Sequence, residues 1–266
     1  MPAALEDFIG RHQRLFILTG AGCSTSSGIP DYRDADGQWK RVPPVTYQAF
    51  MGSAATRQRY WGRSLVGWRH FGAARPNPAH RALACLEASG RAEILVTQNV
   101  DRLHQAAGST RVIDLHGRLD RVCCMGCGHG LARDAMQDGL IRLNPGWAAR
   151  DAAQAPDGDA DLDADFAGFT VPDCPRCHGL LKPDVVFFGE SVPRERVDTA
   201  FAHLDRADAV LVVGTSLMVR SGLRFVDAAV AAGKPVAAVN LGRTRADDVL
   251  ALKVAQPCEA ALAFLL

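Results

Sequence analysis

The sequence predicts an α/β protein: a Rossmann-like parallel sheet with helices on both faces, plus a small zinc-ribbon and helical domain. Two observations predict the sheet. Short apolar runs recur at 15–18, 94–97, 112–115, 185–188, 209–213 and 236–239, and most are continuous rather than alternating, the pattern of strands covered on both sides. Nearly every run gives way at its C-terminal end to small or polar residues, where ligands of open α/β sheets bind. A third observation predicts the smaller part. Between 118 and 178 the rhythm breaks into two Cys-x-x-Cys pairs and an Asp-rich insert.

The first elements are a short lead-in helix and the strand at 15–18, which ends at Gly20 and Gly22. Glycine there lets backbone approach a ligand closely, and the turn's N–H groups suit a pyrophosphate. From Trp39 to Gly90 the pattern turns helical and Arg-rich, with Asn77-Pro78 as N-cap and first helical residue before Ala79, Leu83 and Leu86. The strand at 94–97 runs into Gln98-Asn99-Val100-Asp101, and that at 112–115 into His116-Gly117. After the cysteine region, 209–213 ends at Gly214-Thr215-Ser216 and 236–239 at Asn240-Leu241-Gly242. This divides the chain into a Rossmann-like domain (1–38, 91–117 and 179–266), a helical module (39–90) and a zinc-binding module with an insert (118–178).

Bulk properties narrow the field. The 266 residues suit one large domain and a smaller one, and 48% hydrophobic with 22% charged residues is ordinary for a globular protein. A net charge of +1 gives no electrostatic case for nucleic acid or anionic membrane as partner. No apolar run approaches the ~18 residues that span a bilayer, and no signal or transit peptide is visible at the N-terminus. The eight cysteines are spaced for metal rather than for a secreted disulfide framework, so a reducing cytoplasm is expected.

Four thiolates in two close pairs, Cys124-x-x-Cys127 and Cys174-x-x-Cys177, fit one tetrahedral Zn²⁺ and leave no open position, so the metal is expected to be structural. Cys124 is preferred over adjacent Cys123 because it keeps the two-residue spacing; His129 and His178 lie close by. A redox dithiol needs only one pair. The run from Asp157 to Asp163 invites a calcium reading, but an EF-hand loop starting at Asp157 requires Gly at 162 and Glu at 168, where Leu162 and Gly168 stand. A solvated acidic loop is expected instead.

Gly20-Ala21-Gly22 alone is a modest signal: Thr25 stands where a dinucleotide fingerprint has its third glycine, and no Lys-Ser/Thr pair marks a P-loop. The stretch that follows adds Ser24, Gly28, Pro30, Asp31, Tyr32 and Arg33 within a few residues. Together these resemble the signature of the sirtuins, NAD-dependent protein-lysine deacylases. The resemblance runs from about residue 15 to 258, with at least six motifs in family order. It implies that Gly20, Ala21, Gly22, Ser24 and Thr25 hold the pyrophosphate side. Pro30, Asp31, Tyr32 and Arg33 would form the mobile cofactor loop, with Tyr32 where Phe is more usual. Gln98, Asn99 and Asp101 would contact nicotinamide and its ribose, while Gly214, Thr215, Ser216, Asn240, Leu241, Gly242 and Cys258 serve the adenosine side.

His116 would be the catalytic base, imidazole having the intrinsic pKa for work near neutrality. By resemblance, the acyl-amide oxygen attacks C1′ as nicotinamide leaves, and His116 helps a ribose hydroxyl take over the acyl group, giving O-acyl-ADP-ribose. Val186, Phe187, Phe188 and Gly189, with Leu217, would line the acyl-lysine site and pair with substrate peptide by strand addition. Ser221 departs from a Pro usual near there. Residues 140–165 resemble the insert of class II sirtuins, especially the mitochondrial lipoamidase-type branch. Tyr60 and Arg63 match a class II Tyr-x-x-Arg pair that recognises acidic acyl groups; one helical turn puts both on one face, though a plain amphipathic helix explains them as well. The expected activity is deacetylation, with longer or acidic acyl groups as further candidates and acylated protein lysine as partner. Mono-ADP-ribosyl transfer to protein and a non-catalytic zinc-ribbon module are the alternatives. An NAD oxidoreductase fits less well, since no acid follows the first βα unit at the usual distance.

Overall fold

A computed structural model describes residues 2–41 and 43–266. Met1 and Val42, which fall in the expected first segment and helical module, lie outside the described residues. The chain begins α1 (Pro2–Arg11), β1 (Leu15–Thr19), α2 (Tyr47–Gly52), α3 (Ala54–Phe71), α4 (Pro78–Ala88), β2 (Ala92–Thr97), α5 (Leu103–Ala106) and β3 (Val112–Asp114). It continues β4 (Gly117–Cys124), β5 (Gly130–Ala132), α6 (Arg133–Leu143), β6 (Ala153–Gln154), β7 (Ala160–Asp161) and β8 (Leu181–Val185). Last come α7 (Arg194–Arg206), β9 (Ala209–Val213), α8 (Arg220–Ala231), β10 (Val236–Val239), β11 (Leu252–Val254) and α9 (Cys258–Ala261).

The described residues form two compact units: one from 2–41, 75–115 and 192–266, the other from 43–74 and 116–191. The first is built on a six-stranded sheet in the order β11-β10-β9-β1-β2-β3, with every pairing parallel. Read from β3, that is the doubly wound 3-2-1-4-5-6 order, whose switch point falls between its first and fourth strands. Here those strands are β1 and β9. Alternate side chains of β1 serve the two faces: Leu15 and Ile17 join α1 and α4 residues such as Phe8, Leu83 and Leu86, while Phe16 and Leu18 join Leu204 of α7 and Phe225 of α8.

The segment expected as one helical module, 39–90, is divided. Residues 39–41 and 43–46 are not helical, and α2 and α3 belong to the second unit. Helix α4 packs its Ala79, Ala82, Leu83 and Leu86 stripe on the parallel sheet. Its start is as expected: Asn77 Oδ1 accepts from the N–H groups of Ala79 and His80, Pro78 follows, and the His80 side chain completes a capping box.

The second unit holds a three-stranded antiparallel sheet, β5-β4-β8, and the small hairpin of β6 and β7. The apolar run at 185–188 was expected to resume the parallel sheet; instead its first residue ends β8, which pairs with β4. The remaining residues leave the strand, Phe188 making an isolated bridge to Thr46. Four apolar residues specify burial, not which sheet receives them. A core of Phe50, Trp61, Leu65, Val122, Leu140, Phe169 and Leu181 fills this unit.

Candidate functional site

In the first unit, the glycine turns sit at the switch point of the sheet. Beyond β1 and β9 the two turns pack backbone on backbone: Gly22 N–H donates to Gly214 O at 2.8 Å, and Gly20 N–H to Val213 O at 3.1 Å. A Cβ on Gly22 would stand 3.0 Å from Gly214 O, and one on Gly20 2.6 Å from Thr215 Cβ. Gly214 itself has φ +63°, the left-handed region. Only glycine lets these turns approach.

Behind the turns lies a hydrogen-bonded lattice drawn from β1, β2 and α4. Ser24 Oγ donates to Asp101 Oδ2 at 2.6 Å, and Asn99 Nδ2 donates to both Ser24 Oγ and Gly20 O at 3.0 Å. His80 Nε2 meets Ser24 Oγ at 3.3 Å. Burial raises the Asp101 carboxyl above the usual carboxylate range, with Ser24's hydrogen bond pulling it back. Gln98 Nε2 reaches Thr215 Oγ1 at 3.0 Å, linking the tetrapeptide after β2 to the turn after β9. Thr25 Oγ1 donates to Gly22 O, and Cys258, heading α9, turns its Sγ toward the same carbonyl at 3.7 Å.

The loop after Pro30 is held by its own side chains. Arg33 stacks its guanidinium 3.9 Å over the Trp39 ring and donates to Gly37 O, Tyr32 meets Trp39 edge-on, and Asp31 pairs with Lys40. Past β10, Asn240 Nδ2 donates to Gly242 O, Leu241 is 66% exposed, and Arg243 N–H donates to Ala35 O. Ala21 lies in the short helical turn after Gly20, and Ser216 O accepts from Arg245 N–H. Leu217 takes φ +57°, uncommon for a residue with a side chain. The sequence marks Trp39 only as the start of a helical stretch, not as the ring beneath Arg33, and it does not single out His80, whose one signal is the capping pattern Asn77-Pro78-x-His80.

In the second unit, His116 opens the segment leading into β4, and its carbonyl accepts from Val186 N–H at 2.8 Å. Gly117 has φ +85°, and a Cβ there would lie 2.1 Å from Asp184 O, so this glycine is obligatory. Phe187 is buried, its ring centroid 5.1 Å from Phe50 and 5.4 Å from Tyr60, forming an aromatic trio. Glu190 clamps the segment, accepting from Phe187 N–H and pairing with buried Lys182; Gly189 has φ +79° and Phe188 O accepts from Tyr47 N–H.

Tyr60 lies inside the aromatic cluster, and burial pushes its phenol pKa upward. Arg63, one turn on, donates Nε–H to Asp159 Oδ1 at 2.9 Å. Asp159 belongs to the acidic run expected to be solvated; this member of it is the counter-ion of Arg63.

The four sulfurs of Cys124, Cys127, Cys174 and Cys177 lie within 4.8 Å of one another, with Cys124 and Cys177 at 3.4 Å and Cys127 and Cys174 at 3.8 Å. Sulfurs 2.3 Å from a tetrahedral zinc are about 3.8 Å apart, so the set fits one Zn²⁺. Backbone N–H groups of Cys127 and Gly126 lower the Cys124 thiol, while the neighbouring sulfurs raise that of Cys177, so the four share protons that a zinc ion would displace. Cys123 points elsewhere, its Sγ toward the carbonyls of Cys124 and Gly128.

A family model described as "SIR2: Sir2 family" matches residues 20–221. A "NAD-dependent protein deacetylase" of Xanthomonas campestris pv. campestris (strain 8004) is 70% identical over 263 residues, covering 98% of this chain and 90% of that protein. "NAD-dependent protein deacetylase 2" of Bradyrhizobium diazoefficiens is 67% identical over 264 residues, covering 99% and 97%. Among solved structures, "Sir2-p53 peptide-NAD+" aligns with TM-score 0.81 and 30% identity over 100% of this chain and 97% of that one. "Structure of Sir2Tm bound to a propionylated peptide" aligns with TM-score 0.78 and 28% identity over 99% and 96%.

Proposed function

The chain belongs to the Sir2 family and is an NAD-dependent protein deacetylase; we propose that the first unit binds NAD, that the second carries the zinc module, and that His116 is the base. The observation that carries the cofactor reading is the pair of glycine turns at the switch point, backed by Asn99, Ser24 and Asp101. The turns lie at the carboxyl edge of the sheet where its strand order reverses, the place at which sheets of this order bind dinucleotides. Pro30, Asp31, Tyr32 and Arg33 close over the nicotinamide end in this reading, while Gly214, Thr215, Ser216, Asn240, Leu241, Gly242 and Cys258 take the adenosine.

NAD supplies the ribose carbon that accepts the acyl oxygen, with nicotinamide as leaving group. The chain's own residues do the rest. Asn99 and Asp101, fixed by Ser24, orient the ribose hydroxyls, and Gln98 is steadied by Thr215. His116 would take the proton of a ribose hydroxyl as that oxygen bonds to the acyl carbon; the lysine would leave as its free amine, and a water molecule would supply the oxygen that completes O-acyl-ADP-ribose. Val186, Phe187, Phe188, Gly189 and Leu217 bind the acyl-lysine, with Phe187 excluding water beside Phe50 and Tyr60. The Cys124, Cys127, Cys174 and Cys177 zinc is structural, holding the ends of β4 and the segment before β8 together without touching the chemistry. Reduced thiolates of this kind suit a cytoplasmic protein.

The insert over 140–165 supports placing the chain with class II sirtuins near the lipoamidase-type branch. In this chain Arg63 is paired with Asp159 rather than awaiting a substrate carboxylate. The acyl pocket therefore favours uncharged acyl chains, acetyl and longer, over succinyl or glutaryl. A panel of acetyl, lipoyl, succinyl and glutaryl lysine peptides, incubated with NAD and read by mass spectrometry, tests the reading. His116→Ala should lower turnover by about 10²–10⁴-fold with NAD affinity retained. Near-normal turnover would remove His116 from the mechanism, and ADP-ribosylated protein in place of acyl-ADP-ribose would favour transfer to protein.

A further inference from the structure

Beneath the first glycine turn lie three side chains to which the proposed chemistry gives no contact with cofactor or substrate. Cys23, His80 and His104 are 1%, 0% and 1% exposed, and each offers a ligand atom within 4.8 Å of the others. They converge from separate places: the turn after β1, the first turn of α4, and α5. The two imidazoles meet edge to face with centroids 4.8 Å apart.

The hydrogen bonds assign the protons. Thr19 Oγ1 gives its one hydrogen to Thr97 Oγ1 at 2.8 Å, so it accepts from His104 Nε2–H at 2.9 Å. His104 Nδ1 is then a bare lone pair, buried, and among the described residues nothing donates to it. His80 Nδ1 accepts from Asn77 N–H, which puts the His80 proton on Nε2, facing Ser24 Oγ. Burial holds both rings neutral, so protons do not compete for their lone pairs, while the same burial raises the Cys23 thiol, whose proton the metal must displace. One thiol and two neutral imidazoles make a donor set for a thiophilic d¹⁰ cation.

We propose that Cys23, His80 and His104 form a second metal site, separate from the four-cysteine cluster, that takes a thiophilic d¹⁰ cation such as Zn²⁺ and inhibits the enzyme when filled. On binding, Cys23 releases its S–H proton to solvent and forms the metal–sulfur bond, the imidazoles bind as neutral ligands, and no electrons are exchanged. His104 contributes Nδ1 without giving up its bond to Thr19. His80 has no spare nitrogen: ligation takes it from Asn77 or from Ser24, and either loss loosens the lattice behind the glycine turn. The inhibitory link rests on the reading of Ser24 as a cofactor residue; the site itself does not.

The test titrates enzyme holding one equivalent of Zn²⁺ with further Zn²⁺, counting bound metal after dialysis and following deacetylation of an acetyl-lysine peptide. Wild type should bind a second equivalent and lose about tenfold or more of its turnover. Cys23→Ala and His104→Gln should each stop at one equivalent and escape the inhibition. With Co²⁺ as probe, the second equivalent should add the charge-transfer absorption of a single thiolate, absent from Cys23→Ala. Wild type stopping at one equivalent overturns the site, as does a second equivalent that persists in both variants. A second equivalent lost in both variants but without effect on turnover overturns the inhibition. Should the chain fail to deacetylate at all, metal count and cobalt spectrum still decide the site.

Discussion

Replacing Gly214 with Ala should separate the two turns proposed to cradle the cofactor. Two costs add. The residue sits at φ +63°, where an L side chain is disfavoured by roughly 1–2 kcal/mol. The new Cβ would also lie 2.2 Å from Cys23 N and 2.6 Å from Gly22 C. Both are backbone atoms that cannot rotate aside, so the turns must part at an overpacking cost of about 1–3 kcal/mol. The sum is about 2–5 kcal/mol. Gly233→Ala supplies the control, since it has φ +70° and nothing within 4 Å of its Cβ; only the conformational cost, roughly 1–2 kcal/mol, applies there. Urea unfolding of both variants isolates the packing contribution, and calorimetric titration with NAD reads its consequence. Every 1.4 kcal/mol of lost cradle geometry is about tenfold in affinity, so Gly214→Ala should weaken NAD binding about tenfold or more while Gly233→Ala leaves it unchanged. Equal stability losses with equal NAD affinity would refute the argument that the turns support one another.

Acid should destabilise the first unit through its buried histidines. The folded pKa of His80 is about 4 against 6.5 unperturbed, so between those values the unfolded chain binds more protons and stability falls as pH drops. His80 alone contributes roughly 3 kcal/mol across that window, with His104 in the same direction; a urea-midpoint slope between pH 7 and 5 that is the same in His80→Gln would count against this. Asp159→Asn should free Arg63 and raise turnover on succinyl-lysine relative to acetyl-lysine several-fold, checked by mass spectrometry; an unchanged ratio would show that Arg63 does not reach the acyl site. Chelation of the four-cysteine zinc should unfold β4, β5 and β8 and lower the thermal midpoint, because close thiolates without metal repel one another. A metal-free protein with an unaltered melt would contradict a structural zinc.

What the sequence determined by itself was everything carried by short-range pattern. Runs of apolar residues at 15–18, 94–97, 209–213 and 236–239 became strands of the parallel sheet because continuous burial leaves few other options. The two Cys-x-x-Cys pairs announced their tetrahedron through spacing alone, and even the choice of Cys124 over Cys123 followed from it. Where the pattern was short or mixed, tertiary structure decided. Leu252-Lys253-Val254 has too little apolar character to read as a strand and becomes one by pairing with β10 at the sheet's edge. The run at 185–188 was legible as buried but not as belonging to an antiparallel sheet. Arg63 meeting Asp159, and Cys23 meeting His80 and His104, join residues separated by long stretches of chain. Local periodicity carries no information about such meetings; they exist only once the sheet order and the helix packing have brought those side chains together.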